Sequence, residues 1–318
     1  MGLYSAAVLA ALEEQSGEPL HRRFDLIAGT SIGGIIALGI SVGKPMTDIV
    51  DAFRENGSNV FSADPVPAGG FQTKWALRKN ALKAKHASEN LRKVIVDIVG
   101  EETLIGDLKQ RTIIPAVNLT KGSPQVFKTS HHATFVRDWQ LPVVDVALAT
   151  SAAPTFFPIH KIGGEMFADG GLYANSPDEI ALHEAEHFLD QNTEDVHILS
   201  IGTTTSKFSF SGTVNTNLGW VGWMGGQKLP NVMIGAQQMN SDFVLRHKLG
   251  DRYLRIDQEQ SAEQSKHLAL DVATPEAIGD LIGLAEASVR EHLPNPLLKA
   301  FLAHSAPEQD FLGRTEFK

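Results

Sequence analysis

No cysteine occurs among the 318 residues. The chain therefore offers no disulfide, no thiolate metal ligand and no cysteine nucleophile, which fits a cytoplasmic setting. No apolar run reaches the roughly 18 residues that a transmembrane helix needs. The N-terminus lacks a basic segment followed by an apolar core, so no secretory signal is expected. Positive charge is scarce: 28 Lys and Arg stand against 37 Asp and Glu, a formal net charge of −9. That argues against a nucleic-acid polymer as partner, and against attraction of the whole protein to anionic membrane, while leaving room for a local basic pocket. There is no internal repeat, no low-complexity stretch and no phosphate-cradling G-x-x-x-x-G-K.

What is present is an ordinary globular balance, 42 % hydrophobic and 20 % charged residues, with enough apolar material for a large core. Strand-like and helix-like segments alternate. Helices are expected over Leu3–Glu14, Ile32–Val42, Met46–Glu55, His86–Val99, Pro142–Thr150 and Pro177–Leu189. Strands are expected over Phe24–Ala28, Thr112–Leu119, Gln125–Lys128, Glu165–Ala168 and Val196–Ile201. Ser58–Gln72, rich in Pro, Gly, Ala and Ser, reads as a loop, and His131-His132 also fall in a loop. Such alternation predicts a layered α/β architecture around a largely parallel sheet.

Gly29-Thr30-Ser31-Ile32-Gly33 fits G-x-S-x-G. The pattern alone is loose, but here a strand precedes it and a helix follows, the setting of a nucleophile elbow. A serine on such a strained turn projects clear of the sheet. Glycines on either side let strand and helix cross closely, and a Cβ at Gly29 or Gly33 is expected to clash. The helix N-terminus places N–H groups and a positive dipole end beside the reacting oxygen. The competing reading is a tight turn whose serine only caps the helix. A serine nucleophile needs a base. Asp169, at a strand end before Gly170 and Gly171, is the candidate; the competing reading is an Asp-Gly-Gly turn in which the aspartate bonds its own backbone.

Together these motifs resemble the catalytic signature of patatin-like phospholipases. So do Thr150-Ser151-Ala152-Ala153-Pro154-Thr155-Phe156-Phe157-Pro158 and Asn175-Ser176-Pro177. The resemblance implies a three-layer α/β/α patatin-like fold. It implies a catalytic core over residues 1–205, with 206–318 as a mainly helical extension of the same domain. It also implies a Ser31–Asp169 dyad without histidine that hydrolyses phospholipid acyl esters at the inner face of the membrane, with no metal and no resident cofactor. An ordinary aspartate, with a pKa near 4, is a weak base for an alcohol at neutral pH. Good oxyanion stabilisation is then required, and losing one donor typically costs ~2.7–4 kcal/mol. Ile32 N–H is one expected donor. The family's glycine-rich oxyanion loop has only its last glycine here, Gly2, and its preceding strand is absent. Either the start is assigned late or the chain is truncated, and as written it is expected to be weakly active and less stable.

Phe135-Val136-Arg137-Asp138-Trp139, Asp169–Asp178 and Ile198-Leu199-Ser200-Ile201-Gly202-Thr203-Thr204 further resemble bacterial cyclic-nucleotide-activated phospholipase effectors of antiphage systems. That implies a cyclic dinucleotide of the cyclic GMP–AMP type as activating ligand. The alternatives are a constitutive esterase using a Ser-His-Asp triad, with His183, His187, His197 or His247, and a low-activity form acting as a binding or regulatory module. His183 and His187, one helical turn apart, also suggest a metal pair, against which stands a plain solvated helix face. Leu218, Trp220, Val221, Trp223 and Met224 suggest a membrane-contacting or lid segment, or a buried one. Lys74, Arg78, Lys79, Lys83 and Lys85 suggest a phosphate-binding run, or a solvated helix face.

Overall fold

A computed structural model of the chain describes residues 1–61, 88–154, 156–204, 223, 228–260, 274–309 and 311. The basic run and most of the tryptophan segment lie outside them; Trp223 is described and is 37 % exposed. In chain order the elements are α1 (Gly2–Ser16), β1 (Leu26–Ala28), α2 (Ile32–Val42), α3 (Met46–Phe61), α4 (88–99), β2 (Arg111–Asn118), β3 (Ser123–Lys128), α5 (Val143–Thr150), β4 (His160–Ile162), β5 (Glu165–Asp169), α6 (Gly171–Ala174), α7 (Asp178–Phe188), β6 (Ile198–Ile201), α8 (Lys228–Leu249), β7 (Tyr253–Ile256), α9 (Pro275–His292) and α10 (Pro296–Ala303). Helix α3 runs through Phe61, so the first residues assigned to the Ser58–Gln72 loop are helical and the remainder fall outside the described residues.

The arrangement is a three-layer α/β/α fold. The expectation of a largely parallel sheet is corrected. In the five-stranded sheet only β1–β2 is parallel, while β2–β3, β2–β5 and β4–β5 are antiparallel. The separate pair β6–β7 is parallel. The physical reason lies in the connections. A four-residue turn ending at Gly122 (φ 66°) joins β2 to β3, and Gly163-Gly164, with Gly163 at φ 57°, joins β4 to β5. Such short links close hairpins, whereas parallel neighbours need a crossover of a dozen or more residues.

One core packs α2, α3, α4 and α5 on the central sheet. A second forms beneath the C-terminal region, where Leu3, Tyr4, Val8 and Leu12 of α1 meet Leu254, Ile256, Leu281, Ala285, Val289, Leu298 and Phe301. Helix α1 is thus shared: Ala6, Leu9 and Ala10 face the first core, and Leu3, Tyr4, Val8 and Leu12 face the second. The region after residue 206 adds β7 to β6, so it is built onto the same framework.

Strand β2 organises the site. Its Ile113–Asn118 stretch pairs with β3 along one edge. On the other edge β1 covers Arg111–Ile113 and β5 covers Ala116–Asn118. Strand β1 runs parallel to β2 and β5 runs against it, so their C-terminal ends approach each other head to head. Between them the edge of β2 leaves Ile114 and Pro115 without a strand partner. A proline inside a central strand would normally break the ladder because it has no N–H to give. Here the ladder is already interrupted at that point.

Candidate active site

The chain leaves β1 at Ala28 and turns sharply through Gly29, Thr30 and Ser31 into α2. Ser31 has φ 57° and ψ −127°, a conformation costly for a residue with a Cβ. The glycine requirement is explicit at Gly29: a Cβ there would lie 2.1 Å from Gly33 O and 2.7 Å from Ala37 Cβ. At Gly33 the expectation is corrected, since a Cβ there would meet nothing within 4 Å. The second close approach is made one residue later, where a Cβ on Gly34 would sit 2.8 Å from Thr150 Cγ2. Helix α2 rotates Gly33 outward to solvent and Gly34 inward to α5, so spacing in the motif alone misassigns the packed glycine.

Asp169 is the last residue of β5, paired with Ala116 of β2, and its N–H donates to Ala152 O at 3.0 Å. Gly170 follows where a Cβ would lie 2.3 Å from Pro115 O, so only glycine lets the chain pass. The N–H of Gly171 turns back and donates to Asp169 Oδ1 at 2.6 Å. The turn reading of Asp-Gly-Gly is therefore correct as far as it goes, but it uses only one carboxylate oxygen. The other, Oδ2, accepts the Ser31 hydroxyl at 2.6 Å across 138 residues of sequence.

The two groups differ in environment. Asp169 is buried, while Ser31, Ile32 and Gly33 are partly open to solvent. Burial pushes the Asp169 carboxyl up to about 6, against the downward pull of the Ser31 and Gly171 hydrogen bonds. The aspartate is thus a better base near neutrality than its residue type alone suggests.

Thr30 Oγ1 donates to Ala174 O at 2.7 Å, tying the elbow to α6. The first N–H groups of α2, at Ile32 and Gly33, lie at a helix N-terminus, where no intrahelical acceptor exists for them. Gly2 packs on Ile32, so closely that a Cβ on Gly2 would be 2.2 Å from Ile32 Cγ1. Elbow, helix N-terminus and Gly2 are therefore brought together at one place.

The histidines are placed elsewhere. Among the described residues none hydrogen-bonds Ser31 or Asp169. His183 and His187 are exposed on α7, their rings stacked 5.3 Å apart. His197 and His247 bond the backbone carbonyls of Asp195 and Phe243. No group of three or more His, Cys, Asp or Glu among the described residues is arranged to hold a metal. No helix among them is long and apolar enough to cross a membrane.

The family model described as patatin-like phospholipase matches residues 1–182. The chain is similar to a protein of Pseudomonas aeruginosa named cGAMP-activated phospholipase, 40 % identical over 96 % of this chain and 89 % of that protein. Proteins of the same name from Vibrio cholerae and Escherichia coli are 36 % and 35 % identical, each over 88 % of this chain and over 84 % and 83 % of their own lengths.

Proposed function

The chain belongs to the patatin-like phospholipase family, and from that premise we propose that it hydrolyses acyl esters of membrane phospholipids through the pair Ser31 and Asp169. The observation that carries this reading is the 2.6 Å hydrogen bond from the Ser31 hydroxyl to a buried carboxylate. Asp169 Oδ2 takes the hydroxyl proton as Ser31 Oγ attacks the ester carbonyl. The negative charge that develops on the carbonyl oxygen is met by the Ile32 N–H and the N-terminal end of α2, with Gly2 alongside. Collapse expels the lysophospholipid alcohol, which leaves with the proton, and the acyl group stays on Ser31. Water then gives a proton to the same carboxylate and attacks the acyl-enzyme; the fatty acid is released as Asp169 returns that proton to Ser31 Oγ, which restores the starting pair. Neither a metal nor a histidine enters any step.

The relatives' name, cGAMP-activated phospholipase, further supports activation by a cyclic dinucleotide of the cyclic GMP–AMP type. The test is fatty-acid release from phospholipid vesicles, with and without cyclic GMP–AMP, by wild type, Ser31→Ala and Asp169→Asn. Release by wild type alone, raised by the nucleotide, is expected. Release by Ser31→Ala at the wild-type rate would overturn the dyad. A rate indifferent to the nucleotide would overturn the activation.

A further inference from the structure

We propose that Thr150, the last residue of α5, is a positioning residue that holds both halves of the Ser31–Asp169 pair in register. The inference rests on the dyad reading above. Its ground is the gap on β2. Pro115 sits where β1 and β5 meet without covering the edge, and its carbonyl points into that gap, since a Cβ on Gly170 would lie 2.3 Å from it. A buried carbonyl in such a place needs a donor. Thr150 supplies one: its Oγ1 donates to Pro115 O at 2.6 Å.

The same oxygen then accepts the Ser31 N–H at 3.0 Å. That N–H belongs to the strained residue at the tip of the elbow and precedes the helix, so no intrahelical bond is open to it. The main chain of Thr150 serves the other half, its carbonyl accepting the Gly170 N–H at 3.3 Å, one residue beyond the carboxylate. The Thr150 methyl fills the remaining space against Gly34. Thr150 is fully buried, so its hydroxyl has no exchange partner in solvent. One residue thus links the sheet and the nucleophile turn through its hydroxyl and the carboxylate turn through its carbonyl, without touching the reacting atoms.

Two variants remove the hydroxyl in different ways, Thr150→Val by exchange for a methyl and Thr150→Ala by truncation, while Thr150→Ser restores it. The readouts are kcat and KM for vesicle hydrolysis and the rate at which a fluorophosphonate probe labels Ser31. Misplacing a reacting group by about 1 Å costs on the order of 10²-fold. Both hydroxyl-free variants are expected to lose about that factor in kcat and in labelling rate at unchanged KM, and Thr150→Ser is expected to recover most of it. Thr112→Val is the control. Thr112 is a buried threonine of β2, the strand that carries Pro115, and is bonded to Ser41 and Gln110; its loss is expected to lower stability but not kcat. Wild-type labelling in Thr150→Ala, or a Thr150→Ser variant as impaired as Thr150→Val, would overturn the proposal. Ser31→Ala assayed alongside separates that outcome from failure of the dyad itself.

Discussion

The Ser31 hydroxyl and the Asp169 carboxylate share a 2.6 Å hydrogen bond but not an environment, because the serine opens to solvent while the carboxylate is only 5 % exposed. This asymmetry suits their proposed tasks. The nucleophile must meet a lipid ester, whereas the base gains from being kept dry, which raises its proton affinity.

A consequence for rate follows. Only ionised Asp169 can accept the serine proton, and burial pushes its carboxyl up to about 6. The kcat/KM of wild type is therefore expected to fall about tenfold per pH unit below about 6 and to level off above it. Initial rates on a soluble short-chain ester check this without interference from lipid titration. A limb centred near 4, the ordinary aspartate value, would refute the role of burial.

The same shift predicts an opposite effect on stability. The unfolded chain carries an aspartate of ordinary pKa, whereas the folded chain holds its proton up to about 6. Folding is then favoured by protonation: the full contribution is present below about 4 and is lost as pH rises through about 6. A shift of about two units corresponds to roughly 3 kcal/mol at most. Asp169→Asn removes the charge and keeps an acceptor for the Gly171 N–H. It is expected to be inactive yet more stable than wild type above pH ~6, with the difference closing toward pH ~4. Urea unfolding across that range measures it, and an Asp169→Asn variant less stable than wild type at neutral pH would contradict the desolvation argument.

The two elbow glycines separate cleanly by substitution. Gly29→Ala places a Cβ 2.1 Å from Gly33 O, a backbone atom that cannot move without displacing α2. Gly33→Ala meets nothing within 4 Å. Gly29→Ala is expected to cost on the order of 3 kcal/mol or to prevent folding. Gly33→Ala is expected to leave the unfolding midpoint within a few degrees of wild type. Thermal unfolding of both decides the matter, and equal destabilisation would show that the strand–helix crossing is not set at Gly29.

Much of this was legible in the chain and part of it was not, for reasons that attach to particular residues. Ser31 and Asp169 stand out because G-x-S-x-G and Asp-Gly-Gly are local patterns set between strand and helix, and the fold brings the pair within 2.6 Å. Strand directions were less legible. Gly163-Gly164 carried a hairpin signal, but β4 is only three residues long, too short for period-two alternation to register. Thr150 entered only as part of a family resemblance, since its partners, Pro115 and Ser31, are 35 and 119 residues away. Gly33 was misread because motif spacing does not say which of two adjacent glycines faces the neighbouring helix.

A buried network away from the dyad gives the last test. Glu184 is fully buried and accepts from Lys128 Nζ at 2.5 Å and from His131 Nε2 at 2.9 Å. Thr129 Oγ1 extends the network, lying 2.8 Å from His131 Nδ1 while accepting the Thr112 N–H at 3.0 Å. The Lys128 ammonium lies over the rings of Phe135 and Phe188 at 4.4 and 4.3 Å. Burial alone would raise the Glu184 pKa, but the bonds from His131 and Lys128 outweigh it and hold the carboxyl below its usual range. Its contribution to stability is thus present above its ordinary pKa of 4.5 and is lost as pH falls through the lower folded value. Removing one partner of a buried pair leaves the other charge uncompensated, at a cost of about 3–5 kcal/mol. Glu184→Ala is expected to lose stability in that range at neutral pH, with Glu184→Gln losing less because it keeps an oxygen acceptor. The gap between wild type and Glu184→Ala should narrow in acid. A gap that is constant with pH would show that the glutamate acts there by packing and not by charge.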